Sequence, residues 1–246
     1  MKKATTIDVV NVNGVTRPVL LFYERRRNCT VSIGKKAITI RIPLFLNKST
    51  QEKEIAQMKA WAIKRIQDKP ERFKPKPLRE YHDTETILIG NDQYLITINR
   101  KDKKNSSARL IGHTIHINVS THLSTDLQNR YISTLISRCI ARHRLPDLEQ
   151  KITHLNKKYF NQPINNIYFK NNKSNWGSCS RKRNINISTR LLFAPDDVLE
   201  YVCIHELAHL IVPNHSEQFW TLVENVMPDY EEKKQWLKDN RDSCRF

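Results

Sequence analysis

The chain has 246 residues, with 42 lysines and arginines against 25 aspartates and glutamates, so its formal net charge at pH 7 is +17. Hydrophobic residues make up 39%, which argues against wholesale disorder, and the length suffices for one large core or a core with a smaller appended domain. No run approaches the ~18 apolar residues that a membrane span requires, and polar residues interrupt the start of the chain where a signal peptide needs an apolar segment. We therefore expect a folded, basic, soluble protein that binds no membrane.

The cysteines and glycines argue against several kinds of site. Five cysteines are scattered singly with no CxxC pair, which is typical of reduced thiols in the cytoplasm and disfavours a cysteine zinc ribbon. The five glycines are widely separated, so the sequence contains neither a Rossmann GxGxxG nor a Walker-type phosphate loop. It also lacks the GxSxG elbow that presents a nucleophilic serine.

The first half of the chain is predicted to be rich in strands. β-Branched segments separated by turn residues occur in residues 1–45 and again in residues 86–119. A helix is expected between them, over about residues 49–68, because apolar residues there are spaced three or four apart: Ile55, Met58, Ala62 and Ile66. We assign residues 1–122 to a β-rich N-terminal region.

Helices are expected to dominate the second half, residues 123–246. A helical stripe begins after Ser124, and its apolar members are Leu127, Tyr131, Leu135 and Cys139. Residues 184–188 alternate polar and apolar side chains, as a half-buried strand does. The fold class predicted for the whole chain is therefore α+β.

One segment carries the residues of a metal site. The sequence His205-Glu206-Leu-Ala-His209 is an HExxH motif inside an apolar run, and Pro195 and Pro213 are expected to bound a helix over about residues 195–212. Four residues of helix bring His209 back to within about 40° of His205, so both imidazoles can reach one metal ion. Glu206 would then lie beside the metal and not on it.

His215 is the natural third ligand. Catalytic zinc sites usually have three protein ligands and one open position, and His215 follows closely after the proline that ends the helix. The alternative is a buried helix whose two histidines are ordinary core residues. Burying two histidines and a glutamate without a metal or partners would be costly, so we favour Zn²⁺ held by His205, His209 and His215.

The same residues resemble the YgjP-like metallopeptidase-type family, a zincin-like group with distant similarity to SprT-like proteins. The resemblance is strongest after residue 170, and it weakens toward the N-terminus, where Arg25-Arg26 and Ile42-Pro43 also match. The C-terminal segments that carry it are Trp176-Gly-Ser-Cys179, Asn186-Ile-Ser188, Tyr201-Val-Cys-Ile-His-Glu-Leu-Ala-His-Leu210, Asn214-His-Ser216, Phe219-Trp220 and Pro228-Asp-Tyr230.

The resemblance implies a zincin-like hydrolase domain over residues 123–246, with residues 184–188 similar to the zincin edge strand. It also implies a peptidase activity in which Glu206 is the general base. Asn175 stands where the family usually has arginine before Trp-Gly-Ser-Cys, which puts the role of that arginine in doubt here. Val212 replaces the glycine of metzincins, so we interpret Met227 as a core residue and not as part of a Met-turn.

The remaining signals leave the substrate open. Basic clusters occur at Arg25–Arg27, at Lys101–Lys104, at Lys170 with Lys173 and at Arg181–Arg183. The last two flank the Trp176 segment, which favours an anionic substrate or contact with nucleic acid. Beside a zinc-dependent metallopeptidase, two alternatives therefore stay open: a metal-dependent nucleotide phosphoanhydride hydrolase, and a basic nucleic-acid-binding module with a structural metal. The oxyanion donor and the oligomeric state are not assigned.

Overall fold

A computed structural model describes residues 5–12, 14–34, 37–73, 79–172, 174–241, 243, 244 and 246. The chain divides into two compact units, Met1–Pro77 and Leu78–Phe246. The boundary expected at residue 122 falls inside the second unit, and Lys173 of one predicted basic cluster lies outside the described residues. No helix in the described ranges is long and apolar enough to cross a membrane.

The first unit is a four-stranded sheet with a helix. Its strands are β1 (Thr5–Val12), β2 (Val15–Glu24), β3 (Thr30–Ile33) and β4 (Ile38–Pro43), in the order β1-β2-β4-β3, with β2 and β4 parallel. Helix α1 (Lys48–Asp68) is capped by Asn47, whose side-chain oxygen accepts from the backbone N–H of Thr50 at 2.9 Å. A short helix α2 (Pro70–Phe73) follows. Alternate strand residues are buried with one stripe of α1 to form the core: Val19, Ile38, Ile40, Ile42, Ala62 and Ile66.

The second unit begins with another four-stranded sheet. Its strands are β5 (Thr86–Ile89), β6 (Asp92–Lys101), β7 (Ser107–Ile111) and β8 (Thr114–Ser120), in the order β5-β6-β8-β7, with β6 and β8 parallel. The long helix α3 (Thr125–Leu155) shares a core with this sheet. This shared core is why the predicted boundary at residue 122 is not a boundary between compact units: it would separate the sheet from its covering helix.

Helix α3 buries a different stripe from the one predicted. Its buried side chains in this core are Ile132, Ile136 and Ile140, each with 0% exposure. The predicted residues Leu127 and Tyr131 are 42% and 49% exposed, whereas Leu135 and Cys139 pack partly against the core. Apolar residues on adjacent stripes are offset by about 100°, so the sheet beneath the helix selects which stripe is buried.

A three-stranded sheet follows α3. It consists of β9 (Asn166–Lys170), β10 (Gly177–Cys179) and β11 (Asn184–Ser188), in the order β10-β11-β9. Strand β11 is parallel to β9 and antiparallel to β10, so it is the central strand. The expectation that residues 184–188 form the edge strand is therefore wrong, and the short strand β10 is an edge. Two polar residues of β11, Asn186 and Ser188, are buried too, and Asn186 donates from Nδ2 to the backbone carbonyl of Ser178 at 3.3 Å.

Three helices complete the second unit after a 3-10 turn at Thr189–Phe193: α4 (Asp196–Ala208), α5 (Glu217–Val226) and α6 (Tyr230–Asp239). Their apolar faces share a core with the three-stranded sheet, and its most buried members include Ile185, Ile187, Val202, Leu207, Phe219 and Val223. Met227 packs partly against this core, as expected. Sheets dominate the first half of the chain and helices the second, so the predicted α+β class is confirmed.

Candidate metal centre

Helix α4 and the turn after it hold the histidines of the HExxH motif. The helix ends at Ala208 and not at Val212 as predicted, and His209 is its C-cap residue. Backbone N–H groups of Leu210 and Ile211 bond three residues back, which tightens the last turn before Pro213. A helix tends to end before a proline because the ring disfavours helical geometry in the preceding residue. His205 and His209 still face the same side, with ring centroids 5.0 Å apart.

The loop from α4 to α5 returns His215 to the two helical histidines. One ring nitrogen from each of His205, His209 and His215 lies within 4.8 Å of the others. The Nε2 atoms of His205 and His215 are 3.1 Å apart. Two nitrogens at ~2.0–2.1 Å from one tetrahedral zinc ion would be separated by about 3.3 Å, so this spacing fits a shared metal.

The protonation chemistry of these imidazoles also fits a ligand role. His209 donates from Nδ1 to the backbone carbonyl of Val212 at 3.1 Å, which leaves its Nε2 lone pair for a ligand position. The pKa of His205 is lowered to about 3, chiefly by burial and also by the two neighbouring histidines and Lys234. His205 is therefore neutral at pH 7, as a metal-binding imidazole must be.

Glu206 follows His205 on α4, and its side chain lies against Gly177 of strand β10. Its side chain is buried, and within the described residues its Oε2 atom has no hydrogen-bond partner. Burial raises the pKa of Glu206 to about 8, and a hydrogen bond from the backbone N–H of Cys179 opposes that rise. A cation held by the imidazoles would also oppose it, because a nearby positive charge favours the carboxylate.

Gly177 is a site residue that sequence reasoning missed. A Cβ built on Gly177 would stand 2.4 Å from Oε1 of Glu206, well inside van der Waals contact. Only a residue without a side chain lets β10 approach the carboxyl group this closely. The sequence analysis singled out the Trp176-Gly-Ser-Cys179 segment, which contains this glycine. It could not predict that Gly177 contacts Glu206, because the two residues are far apart in the sequence.

Aromatic rings pack around the histidines. Phe219 lies under all three, with centroids 4.5 Å from His209, 4.9 Å from His205 and 5.0 Å from His215. Trp220 stacks on His215 with centroids 5.7 Å apart and an interplanar angle of 22°. Tyr230 also stacks with that indole, with centroids 5.4 Å apart. Trp220 thus packs partly against the core of the second unit and also stacks with the exposed His215.

Trp176 and the nearby cysteines have other surroundings. The guanidinium of Arg190 lies 4.0 Å from the centroid of the half-buried Trp176 ring, an arrangement suited to a packing anchor. Asn175, at the position where arginine was expected, donates from Nδ2 to the backbone carbonyl of Gly177 at 2.7 Å. Cys203 is a fully buried core residue, and burial raises the pKa of its thiol.

Comparisons with known proteins place these residues in a family. No curated protein matches the chain. Two solved structures show similarity over 37% of this chain. The metallopeptidase zymogen jannalysin of Methanocaldococcus jannaschii is 20% identical with a TM-score of 0.34, and 93% of its chain is covered. The metallopeptidase zymogen abylysin of Pyrococcus abyssi is 25% identical with a TM-score of 0.34, and 92% of its chain is covered. Residues 27–240 match the family described as YgjP-like, metallopeptidase domain, so the chain belongs to that family.

Proposed function

We propose that the protein is a zinc-dependent metallopeptidase in which His205, His209 and His215 hold the metal and Glu206 is the general base. The observation that carries the proposal is the meeting of three imidazole nitrogens within 4.8 Å, while Glu206, the residue after His205 on α4, has a buried side chain. Metal-assisted peptide hydrolysis uses both features: ligands that hold the metal ion and a carboxyl group that moves protons. Its location would be the cytoplasm, in keeping with the unpaired cysteines.

The three imidazoles are suited to zinc because they are neutral nitrogen donors that leave a fourth position open. Bound there, zinc would supply a Lewis acid that polarises the scissile carbonyl and favours the ionisation of water. The hydrogen bond from His209 to the carbonyl of Val212 fixes the tautomer that presents Nε2. Phe219 fills the space beneath the three rings and so restricts their rotation.

Glu206 would move the protons. Its carboxylate would take a proton from the attacking water and deliver it to the nitrogen of the leaving amine. Burial removes the carboxyl group from bulk water, and the Cys179 N–H and the close approach of Gly177 fix its position. The raised pKa of Glu206 suits a group that must both accept and release a proton near neutral pH.

The unligated carboxyl group also favours a hydrolase over a nucleic-acid-binding module with a structural metal. Structural zinc sites are closed by four ligands and need no buried acid beside them. A phosphoanhydride hydrolase would use the same metal and acid, so nucleoside triphosphates belong in the substrate screen beside peptides.

The test joins metal content to activity. The protein is purified without a metal-affinity tag, and zinc is measured by plasma mass spectrometry in the wild type, His209→Ala and His215→Ala. We expect about one zinc per chain in the wild type and loss of zinc in both variants. Cleavage of a peptide library is then compared between the wild type and Glu206→Gln, which should retain zinc and lose activity by ~10³-fold. A zinc-loaded Glu206→Gln with wild-type activity would disprove the base assignment.

A further inference from the structure

Three consecutive cations form the turn between β10 and β11. Arg181, Lys182 and Arg183 are all exposed, and Arg183 has the left-handed backbone angle φ of 56°. The turn is closed by the Arg183 N–H, which donates to the carbonyl of Ser180 at 2.8 Å. The N–H of Asn184 donates to Oγ of Ser180 at 3.1 Å. The backbone that carries the three cations is thus fixed by local hydrogen bonds.

Asn165, just before β9, braces the same turn from the other side. Its backbone N–H donates to the carbonyl of Arg183 at 3.0 Å, and its Nδ2 donates to the carbonyl of Lys182 at 2.7 Å. These bonds use backbone oxygens of the turn and leave the guanidinium and ammonium groups available. A braced turn presents charges at defined places at a lower cost in conformational entropy than a free loop does.

The turn adjoins the candidate site through β10. Gly177 touches Glu206, Cys179 donates its N–H to the same carboxyl group, and the turn begins one residue later. Arg181 follows Cys179 by two residues. An extended chain spans at most ~3.6 Å per residue, so the Cα atoms of these two residues are no more than about 7 Å apart. Glu206 and Arg183 both act on the half-buried Cys179 thiol: burial and Glu206 raise its pKa, Arg183 opposes the rise, and the net pKa is about 11.

The three charges are not neutralised within the described part of the chain. No ion pair joins Arg181, Lys182 or Arg183 to a described carboxylate. Elsewhere in the second unit, in contrast, Lys233 lies 2.9 Å from Asp197 and 3.0 Å from Asp229. A cluster of unpaired cations beside a site attracts anionic groups and raises their local concentration.

We propose that the turn formed by Arg181, Lys182 and Arg183 selects peptide substrates that carry acidic side chains close to the scissile bond. The inference rests on the proposed peptidase function and names its substrate class. Arginine pairs with carboxylates through two parallel hydrogen bonds, so Arg181 and Arg183 suit aspartate and glutamate side chains. The position of the turn, one residue beyond a strand that touches Glu206, favours a peptide over a nucleic acid.

The activity test uses the full chain and a peptide library derived from a proteome. Mass spectrometry of the new termini gives the frequency of Asp and Glu within about four residues of each cut, relative to the library. The best-cleaved sequence is then made with Glu and with Gln at the enriched position. For the triple variant Arg181→Gln, Lys182→Gln and Arg183→Gln, we expect kcat/KM to fall ~10-fold on the Glu peptide and by less than about twofold on the Gln peptide.

A matched control removes the same charge elsewhere in the second unit. The triple variant Lys101→Gln, Lys103→Gln and Lys104→Gln loses three exposed cations from the end of β6 and the segment that follows it. It should retain the preference for the Glu peptide. If both triple variants lose it equally, net charge and not the turn attracts the substrate, and the proposal is wrong. Equal cleavage of Glu and Gln peptides by the wild type also overturns it.

A binding measurement separates this inference from the peptidase assignment. Fluorescein-labelled peptides with four Glu or four Gln are titrated onto Glu206→Gln, with and without the triple change in the turn, and anisotropy is recorded. Tighter binding of the Glu peptide that depends on the turn supports the proposal even if no peptide is cleaved, an outcome that would count against the peptidase function. Turn-dependent binding of a single-stranded 20-nucleotide DNA without turn-dependent peptide binding would overturn the proposal in favour of nucleic acid.

Discussion

Gly177 and Glu206 are in direct contact: a Cβ built on the glycine would stand 2.4 Å from Oε1 and 2.8 Å from Cδ and Cγ of the glutamate. Edge strand β10 and helix α4 therefore meet at a position that admits no side chain. The carboxyl group is held between the strand above it and the helix that carries it. The position of the carboxyl group therefore depends on this contact.

Gly177→Ala should therefore displace Glu206. We expect peptide hydrolysis to fall at least ~10-fold with zinc content unchanged, because the new methyl group moves the base and not the ligands. Initial rates and plasma mass spectrometry measure the two quantities. Gly112→Ala is the control: its φ of 56° makes it strained, but nothing lies within 4 Å of the added Cβ. Full activity in Gly177→Ala would contradict the positioning role of this contact.

Metal removal should lower the thermal stability of the chain. A metal that binds the folded state at ~100 times its Kd adds about 2.7 kcal/mol, which corresponds to a Tm change of roughly 5 to 10 °C for a chain of this size. Calorimetry of the wild type with and without a chelator measures this shift. The variant His209→Ala should show no response to the chelator, and a wild-type Tm that is insensitive to both zinc and chelator would contradict a resident metal.

Trp220→Ala should weaken zinc binding while leaving the fold intact. His215 is the exposed member of the three histidines; the Trp220 ring stacks with it at 5.7 Å, and Tyr230 stacks with the indole at 5.4 Å. Groups that orient a ligand from outside the first coordination sphere typically change metal affinity ~10-fold or more, so we expect a loss of that size. Competition with a chromogenic chelator measures it. Trp61→Ala removes an exposed tryptophan from the other unit and should leave zinc affinity unchanged.

Ile136→Ala and Leu127→Ala distinguish the buried stripe of α3 from the stripe that the sequence predicts. Ile136 has 0% exposure, so truncation leaves a cavity and should lower the free energy of unfolding by ~2–5 kcal/mol. Leu127 is 42% exposed, and its truncation should cost less than about 1 kcal/mol. Urea unfolding followed by circular dichroism compares the two. A larger loss for Leu127→Ala would show that the helix is rotated from the position described.

The sequence by itself determined the features that depend on short-range spacing. The four-residue separation of His205 and His209 is fixed by helix geometry, and so their shared face followed from the HExxH pattern. The α+β class followed from the change in periodicity along the chain, and the limits of α1 were predicted to within one residue because its apolar spacing is regular. The resemblance to the YgjP-like family followed from equally local motifs, and the family match over residues 27–240 confirms it.

Only the tertiary structure decided which elements lie against one another. It made β11 central and β10 the edge strand, because strand order depends on pairing between segments far apart in sequence. It buried Ile136 instead of Tyr131, since both stripes of α3 are apolar and the sheet selects one. It placed Gly177 on Glu206 and Trp220 on His215, contacts whose partners no local pattern specifies. Spacing determines which residues share a face of one element, and packing between elements determines what that face meets.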